Sequence, residues 1–413
     1  MNYFSLSAAQ QIILQSTARL GMETIPLARS LNRVLAKDIL SNRDHPPYAV
    51  SAMDGYAVRV NNLSTLPAIL TVIEDIKAGT LPIKAVLDGQ CARIMTGAAI
   101  PQGADTVIRV EDTETILSDA VQINTGAALG TNIRRQGENL RTGATVLKAG
   151  TMITPGVLGI LAMVKCAQVP VYQQPRVAIL STGDELEGLD DPFDSNKIPD
   201  ANSHTLFAQV LALGITPTLL GITQDDPLEL AQAIRRGLDY DVLLISGGTS
   251  VGVHDYVRPT LAELNVHMHF WRVAIRPGHP FAFGTTAKNQ VFCLPGNPVS
   301  SMVCFEQFVA PALRQATGHH RLYRRTLTAR LSHTLAHRHQ NMEFVRVRLA
   351  QDQQGYVATA TDSQSSGVLL SMAHADGLLI VPADSNGLVA GEAVTVQCLD
   401  GMCYQNTPFG APV

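Results

Sequence analysis

The sequence predicts a multidomain α/β protein: a doubly wound α/β domain, a β-rich N-terminal module, a helical/linker domain and a small β-barrel-like C-terminal domain. Three observations predict it. The chain has 413 residues, more than one hydrophobic core usually organises, so about two to four domains are expected. From Arg176 to Asn297, short apolar runs alternate with helically spaced segments, the pattern of a parallel α/β sheet. Past Gly318 the helical spacing stops and short alternating runs follow one another, as in a small all-β fold.

Taken in order, Ser7 to about Leu20 has helical spacing, with Ile12, Ile13 and Leu14 among polar neighbours. A Pro-rich turn follows at Asp44 to Tyr48. From about Tyr48 to Thr131, β-like runs such as Gly55 to Val60 and Thr106 to Val110 are separated by Gly, Asp and Pro. Arg134 to Gly150 is a polar, Gly-dotted connection. Thr154 then offers an N-cap, Pro155 a first helical residue, and Val157, Leu158 and Leu161 an apolar stripe. The α/β series begins with a strand at Arg176 to Leu180 and a helix from Asn202 to near Gly214. It continues with a strand at Thr218 to Ile222 and a helix begun by Pro227 under an Asp226 cap. The strand Asp241 to Ile245, a helix near Tyr256 to Leu264, and the strand Val291 to Leu294 before a last helix complete it. Thr326 to Leu331, Phe344 to Leu349, Tyr356 to Thr361, Leu378 to Pro382 and Ala393 to Cys398 alternate like strands. The expected domains are 1–45 with 134–172 (helical/linker), 46–133 (β-rich module), 173–320 (α/β) and 321–413 (C-terminal β domain).

A hydrophobic fraction of 46%, a charged fraction of 16% and a net charge of −4 suit a soluble protein with substantial cores. With no long basic stripe and only 5% aromatics, nucleic acid is not an expected partner. The longest helical apolar run, Val157 to Val164, is too short to cross a bilayer, and the N-terminus lacks a signal-peptide layout. Cys91, Cys166, Cys293, Cys304, Cys398 and Cys403 form no CxxC pair, which points to reduced thiols in a cytoplasmic protein and away from zinc ribbons.

The most informative stretch is Ser246-Gly247-Gly248-Thr249-Ser250-Val251-Gly252, which follows the apolar run Asp241 to Ile245. A buried strand that runs into small, hydroxylated residues exposes backbone N–H groups to an anion, and Asp255 follows three residues later. In a parallel sheet, ligands bind at the carboxyl ends of strands. Four such ends carry chemistry: Ser181-Thr182-Gly183-Asp184-Glu185; Asp225 and Asp226; Gly247 to Gly252 with Asp255; and Gly296-Asn297 with Ser300. Carboxylates beside anion cradles call for a cation between them, most economically Mg²⁺, with Glu185, Asp225 and Asp255 as its candidate ligands. Asp226 is read as a helix cap. Arg276-Pro277-Gly278-His279-Pro280 is a rigid turn whose forked guanidinium suits an oxyanion, or else an exposed surface turn. Ser51 to Ala57 and Met95 to Ala98 read, on chemistry alone, as turns. His319-His320 and His333, His337 and His339 form loose clusters, read as solvated surface histidines with a metal site as the alternative. No cysteine has a histidine-paired motif, so covalent catalysis is not expected.

Together, PPYAVSAMDGYAV (46–58), RIMTGAAIPQGADTVI (93–108), ILSTGDEL (179–186), SGGTSVGVHDY (246–256), RPGHPFAFG (276–284) and LPGNPVS (294–300) resemble the molybdopterin molybdenumtransferase family, of MoeA or gephyrin E-domain type. The resemblance covers nearly the whole chain. It implies insertion of molybdenum from molybdate into adenylylated molybdopterin, with Mg²⁺ present and AMP released. It also implies an elongated homodimer with cross-chain active sites, in which the α/β domain of one chain faces the DGYA-bearing domain of the other. By motif match, Glu185, Asp225 and Asp255 take the acidic active-site positions, and Asp54 and Thr96 the cross-dimer ones. Pro295 and Pro298 shape the cleft, and Arg346 and Ser366 match an arginine and a serine near the site. The family usually carries lysine where this chain has Arg276, and often lysine again at His279. That implies weaker or more pH-dependent oxyanion affinity and leaves molybdate against tungstate open.

On this reading the Ser246–Gly252 loop and the Ser181–Gly183 turn hold phosphates and pterin, while Arg276 holds the oxyanion. The alternatives are a molybdopterin adenylyltransferase, whose α/β domain is closely related, and a non-enzymatic dimeric scaffold of the same family. The upstream adenylyltransferase is a candidate partner.

Overall fold

The computed structural model describes residues 3–248 and 256–399. The α/β unit is built on a six-stranded sheet. Its strands run in the order Thr218–Thr223, Val177–Thr182, Val242–Ser246, Gln290–Leu294, Ala282–Thr285, His267–Phe270. The first four are parallel and the last two antiparallel. Sequence reading did not single out these last two strands.

Strand alternation divides the core in two. Val177, Ile179, Val242, Leu244, Phe292 and Leu294 face one side, against Leu206 and Val210 of the helix Ala201–Ala212 and Val299 and Val303 of the helix Pro298–Cys304. Ala178, Leu180, Leu243, Ile245, Val291 and Cys293 face the other, against Leu230 and Ile234 of the helix Pro227–Gly237 and Leu261 of the helix Val257–Glu263. Burial on both faces is why these strands read as unbroken apolar runs. The helix Leu6–Gln15, grouped by sequence with 1–45, packs Ala9 and Ile13 into the first of these cores. Its apolar stripe is thus covered by the α/β sheet and its helices.

Asp226 Oδ1 accepts from Leu228 N and Glu229 N, and Thr154 caps the helix Pro155–Met163, as expected. The helix Ala201–Ala212 is capped by Asp200, whose side chain accepts from Ser203 N. Asn202, the expected start, therefore lies inside the first turn with its amide free for other work.

In the C-terminal unit, strands Met342–Asp352, Gly355–Ala360, Thr326–Leu331, Ala393–Cys398 and Gly377–Val381 pair in that order. The last pairs back onto the first, which closes a five-stranded barrel. The two-residue strand Ile275–Arg276 adds to it, parallel to Met342 and Glu343. The stretch read as a rigid turn thus enters as a strand from the α/β unit.

Among the described residues, the N-terminal module is a six-stranded sheet ordered Thr106–Arg109, Gly55–Val58, Gln90–Ile94, Ala68–Ile76, Ala120–Ile123, Thr113–Leu117. Nearby, Met22–Pro26 pairs antiparallel with Gln168–Tyr172, and Ile39–Leu40 with Thr145–Leu147. Burial alternates along Gln168–Tyr172, as in a strand with one face on a core.

Candidate functional site

A cleft of about 1360 Å³ opens between the carboxyl edge of the parallel sheet and the rim of the barrel. From the first strand end come Thr182, Gly183 and Glu185, and from the second Asp225. Gly183 has φ +152°, and a Cβ there would come within 2.6 Å of Glu185 Oε2, so the Glu185 carboxylate is folded over the turn. Thr182 Oγ1 donates to Asp225 Oδ1 at 2.7 Å, and Asp184 Oδ1 accepts from Asp225 N at 3.0 Å. Asp184 thus holds the neighbouring loop in place instead of lining the cleft. Ser181 is buried beneath, its Oγ without a partner.

The third strand end contributes Ser246, Gly247 and Gly248. Gly247 has φ +96°, and a Cβ would lie 2.3 Å from Thr182 O. Gly248 has φ +59°, and a Cβ would strike Val257 Cγ2 at 2.2 Å. Both positions therefore require glycine on conformation and on space. Thr249, Ser250, Gly252 and Asp255 lie outside the described residues. The fourth strand end adds Pro295, Gly296, Asn297, Pro298 and Ser300.

Asn202, missed by sequence reasoning, ties two of these ends together. Its amide donates to Ser246 Oγ at 2.8 Å and to Gly296 O at 2.7 Å. The available signal was Asp200, a better cap two residues earlier.

The barrel rim brings Arg276, Pro277, Arg346 and Ser366 to the same cleft. Asn297 Nδ2 donates to Ser366 Oγ at 3.0 Å, and Val299 N to Ser366 O at 3.1 Å, fastening the two rims. Arg346 is only 2% exposed. Its hydrogen bonds run to neutral acceptors at long range: Phe344 O at 3.3 Å, and Ser365 O and Ser371 Oγ at 3.4 Å. Burial pushes the guanidinium down to about 10. A buried cation held by weak neutral bonds beside a cleft suits an incoming anion.

Arg276 is more open and lies 3.8 Å from Glu343 Oε1. Arg272, also missed, lines the same wall. It lay in no glycine or proline motif that would mark it. His279 lines the cleft too, with its pKa lowered by burial and by the Arg272 charge, so it adds no lysine-like charge at neutral pH.

Asp54 and Thr96 do not line this cleft. They pair with each other, Thr96 N and Oγ1 donating to Asp54 Oδ1 at 2.7 and 2.8 Å, which holds the Asp54 carboxyl below its ordinary range. The histidines read as solvated divide: His320 and His333 are exposed, His319 and His339 half-buried, and His337 buried. His337 follows the isolated bridge between Leu335 and Leu388 and faces Glu343 of the barrel strand, with Nδ1 3.2 Å from Oε2. Cys91 is pushed up to about 12 by burial, and the Cys166 and Cys304 thiols are also raised, so these three are poor nucleophiles.

Fold and site define a class: a multidomain α/β protein whose cleft lies at the carboxyl edge of a doubly wound sheet and is walled by a small barrel. Three family models match along the chain: the MoeA N-terminal region (domains I and II) over 4–164, a probable molybdopterin binding domain over 178–315, and the MoeA C-terminal region (domain IV) over 328–399. The molybdopterin molybdenumtransferase 2 of Mycobacterium tuberculosis is 34% identical over 402 residues, covering 95% of this chain and 98% of that one. The molybdopterin molybdenumtransferase of a Nostoc species is 35% identical over 385 residues, covering 91% and 88%. A crystal structure of the molybdopterin biosynthesis moeA protein from Pyrococcus horikoshii OT3 superposes with a TM-score of 0.83 at 29% identity, covering 96% of this chain and all of that one. The chain belongs to the MoeA family of molybdopterin molybdenumtransferases.

Proposed function

We propose that this protein is a transferase of molybdenum cofactor biosynthesis, which takes molybdenum from molybdate into the dithiolene of adenylylated molybdopterin and releases AMP. The observation that supports it most is the convergence of glycine-lined loops, carboxylates and a buried, weakly bonded Arg346 on one cleft. At about 1360 Å³, the cleft exceeds the ~300–1,000 Å³ usual for small ligands, in keeping with a pterin joined to a nucleotide. The matches to both MoeA terminal regions favour this reading over an adenylyltransferase built on the α/β domain alone.

In this reading the turns at Thr182-Gly183 and Ser246-Gly247-Gly248 present backbone N–H groups to the phosphates. Arg346 and Arg276 hold the tetrahedral oxyanion near the dithiolene, and positioning with charge stabilisation carries most of the rate. Glu185 and Asp225 are oxygen donors, the set that Mg²⁺ prefers, and would hold it with Asp255 as a third ligand. Bound there, Mg²⁺ supplies charge neutralisation and Lewis acidity at the phosphoanhydride. Thr182 and Asp184 keep Asp225 oriented through the hydrogen bonds described above.

The active unit is a homodimer in which Asp54 and Thr96 of a second copy complete the cleft. Molybdate-dependent AMP release from adenylylated molybdopterin tests the activity; consumption of ATP with apo-molybdopterin in its place marks the adenylyltransferase. Mixing Asp54→Ala chains with Asp225→Ala chains tests the shared site. Random pairing should restore about a quarter of wild-type turnover, because half the dimers then hold one intact site. No recovery on mixing would place Asp54 outside the partner's cleft.

A further inference from the structure

We propose that His337, His339 and Glu343 form a binding site for a divalent transition-metal ion of the Zn²⁺ class. Glu343 is the second residue of the strand Met342–Asp352, and both histidines lie on the loop before it. Glu343 Oε2 lies 3.2 Å from His337 Nδ1 and 3.3 Å from His339 Nε2, and one donor atom from each residue falls within 4.8 Å of the others. With metal–ligand bonds of about 2.0–2.1 Å, the edges of a tetrahedral zinc site are about 3.3–3.4 Å long. The two distances match those edges.

The donor set points the same way. His337 Nε2 and His339 Nδ1 are buried and have no hydrogen-bond partner. The two ring centroids lie only 4.3 Å apart, which keeps both imidazoles within reach of one ion. Two neutral imidazoles and a carboxylate around a dication satisfy the facing atoms. Imidazole nitrogen selects Zn²⁺, Ni²⁺ or Cu²⁺ over Mg²⁺, which prefers oxygen donors. His339 and Glu343 also line the cleft, which supplies an entry path. The other carboxylate oxygen, Oε1, faces Arg276, so an ion here shares Glu343 with the arginine assigned to the oxyanion.

The test is a Zn²⁺ titration of the full chain after treatment with a chelator, read by equilibrium dialysis and calorimetry, with excess Mg²⁺ present throughout. A single ion per chain should bind. His339→Ala, at a half-buried position, should weaken binding at least ~100-fold, the upper end of what even a supporting group contributes. Glu343→Gln should weaken it as well, and His333→Ala should not. His337→Ala, with its fold checked by circular dichroism, gives a second arm. Co²⁺ in place of Zn²⁺ should show the intense visible bands of tetrahedral coordination; weak octahedral bands would contradict the site. The proposal is overturned if His339→Ala and Glu343→Gln bind Zn²⁺ as tightly as the unaltered chain, or if Glu185→Gln abolishes binding while His339→Ala retains it.

Discussion

The two rims of the cleft are built by different means. The sheet rim is made of backbone: Gly183, Gly247 and Gly248 have positive φ, and the space a Cβ would need is already filled. Its side chains serve mainly to hold loops, as Thr182, Asp184 and Asn202 do. The barrel rim is made of side chains, with Arg346 carried on the long strand Met342–Asp352: Phe344 packs into the α/β core, Val345 and Val347 into the barrel core, and Arg346 reaches the cleft from the same face as Phe344. A backbone rim presents fixed dipoles and tolerates few substitutions, whereas a rim of side chains sets its charge residue by residue.

The largest effect that separates the rims should come from Arg346→Met. Loss of this cation should lower kcat/KM by about 10²–10³, the cost of one charge-stabilising donor. The melting temperature should hold or rise, because a weakly bonded buried charge is replaced by an apolar side chain. A fall in stability with activity intact would assign Arg346 to the scaffold. On the sheet rim, Gly247→Ala combines a positive φ with a steric clash, and denaturant unfolding should show a loss of about 2–4 kcal/mol. A change within 0.5 kcal/mol, by the same measurement, would mean that the loop rearranges freely and is no fixed cradle.

Asn202→Ala leaves Ser246 Oγ and Gly296 O without that donor, and should cost about 1–2 kcal/mol of stability together with a rise in KM. An unchanged KM would separate this tie from ligand binding. His279→Lys adds a permanent charge beside the barrel arginines and should lower the apparent KM for molybdate by a few-fold; initial-rate kinetics would show it, and no change would mean that Arg272 already saturates that wall.

The smallest effect concerns pH and lies away from the cleft. His319 is pushed down to about 4 by burial, with Arg314 adding to it. Between its unfolded value of 6.5 and that folded value, the unfolded chain binds more protons, so stability falls as pH drops through this window. His319→Gln should flatten that decline in a thermal-melt series; an unaltered slope would assign the acid sensitivity to other groups.

Much of the sheet rim was legible because its chemistry is contiguous. An apolar run followed by Gly247-Gly248, or Thr182-Gly183 before Glu185, records strand, turn and cradle in a few adjacent letters. Arg272 and Asn202 were not legible. The first needs the wall that the strand Ile275–Arg276 makes with the barrel, and the second needs to be displaced from capping by Asp200. His337 and His339 looked like surface residues because a two-apart spacing in a polar loop carries no burial signal. The barrel mouth buries one and half-buries the other. Arg346 and Ser366 were reached only through resemblance, since alternation along a strand does not say which face meets another domain.

By itself, the sequence determined the parallel strands and helices of the α/β unit, the strand-rich character of the C-terminal unit and the turns that need glycine, because periodicity and backbone conformational limits act over a few residues. Only the tertiary structure decided which loops share a cleft, that the first helix joins the α/β core, and that a carboxylate and two histidines meet at the barrel mouth. Those outcomes depend on contacts between residues far apart in the chain, where burial and packing set the geometry.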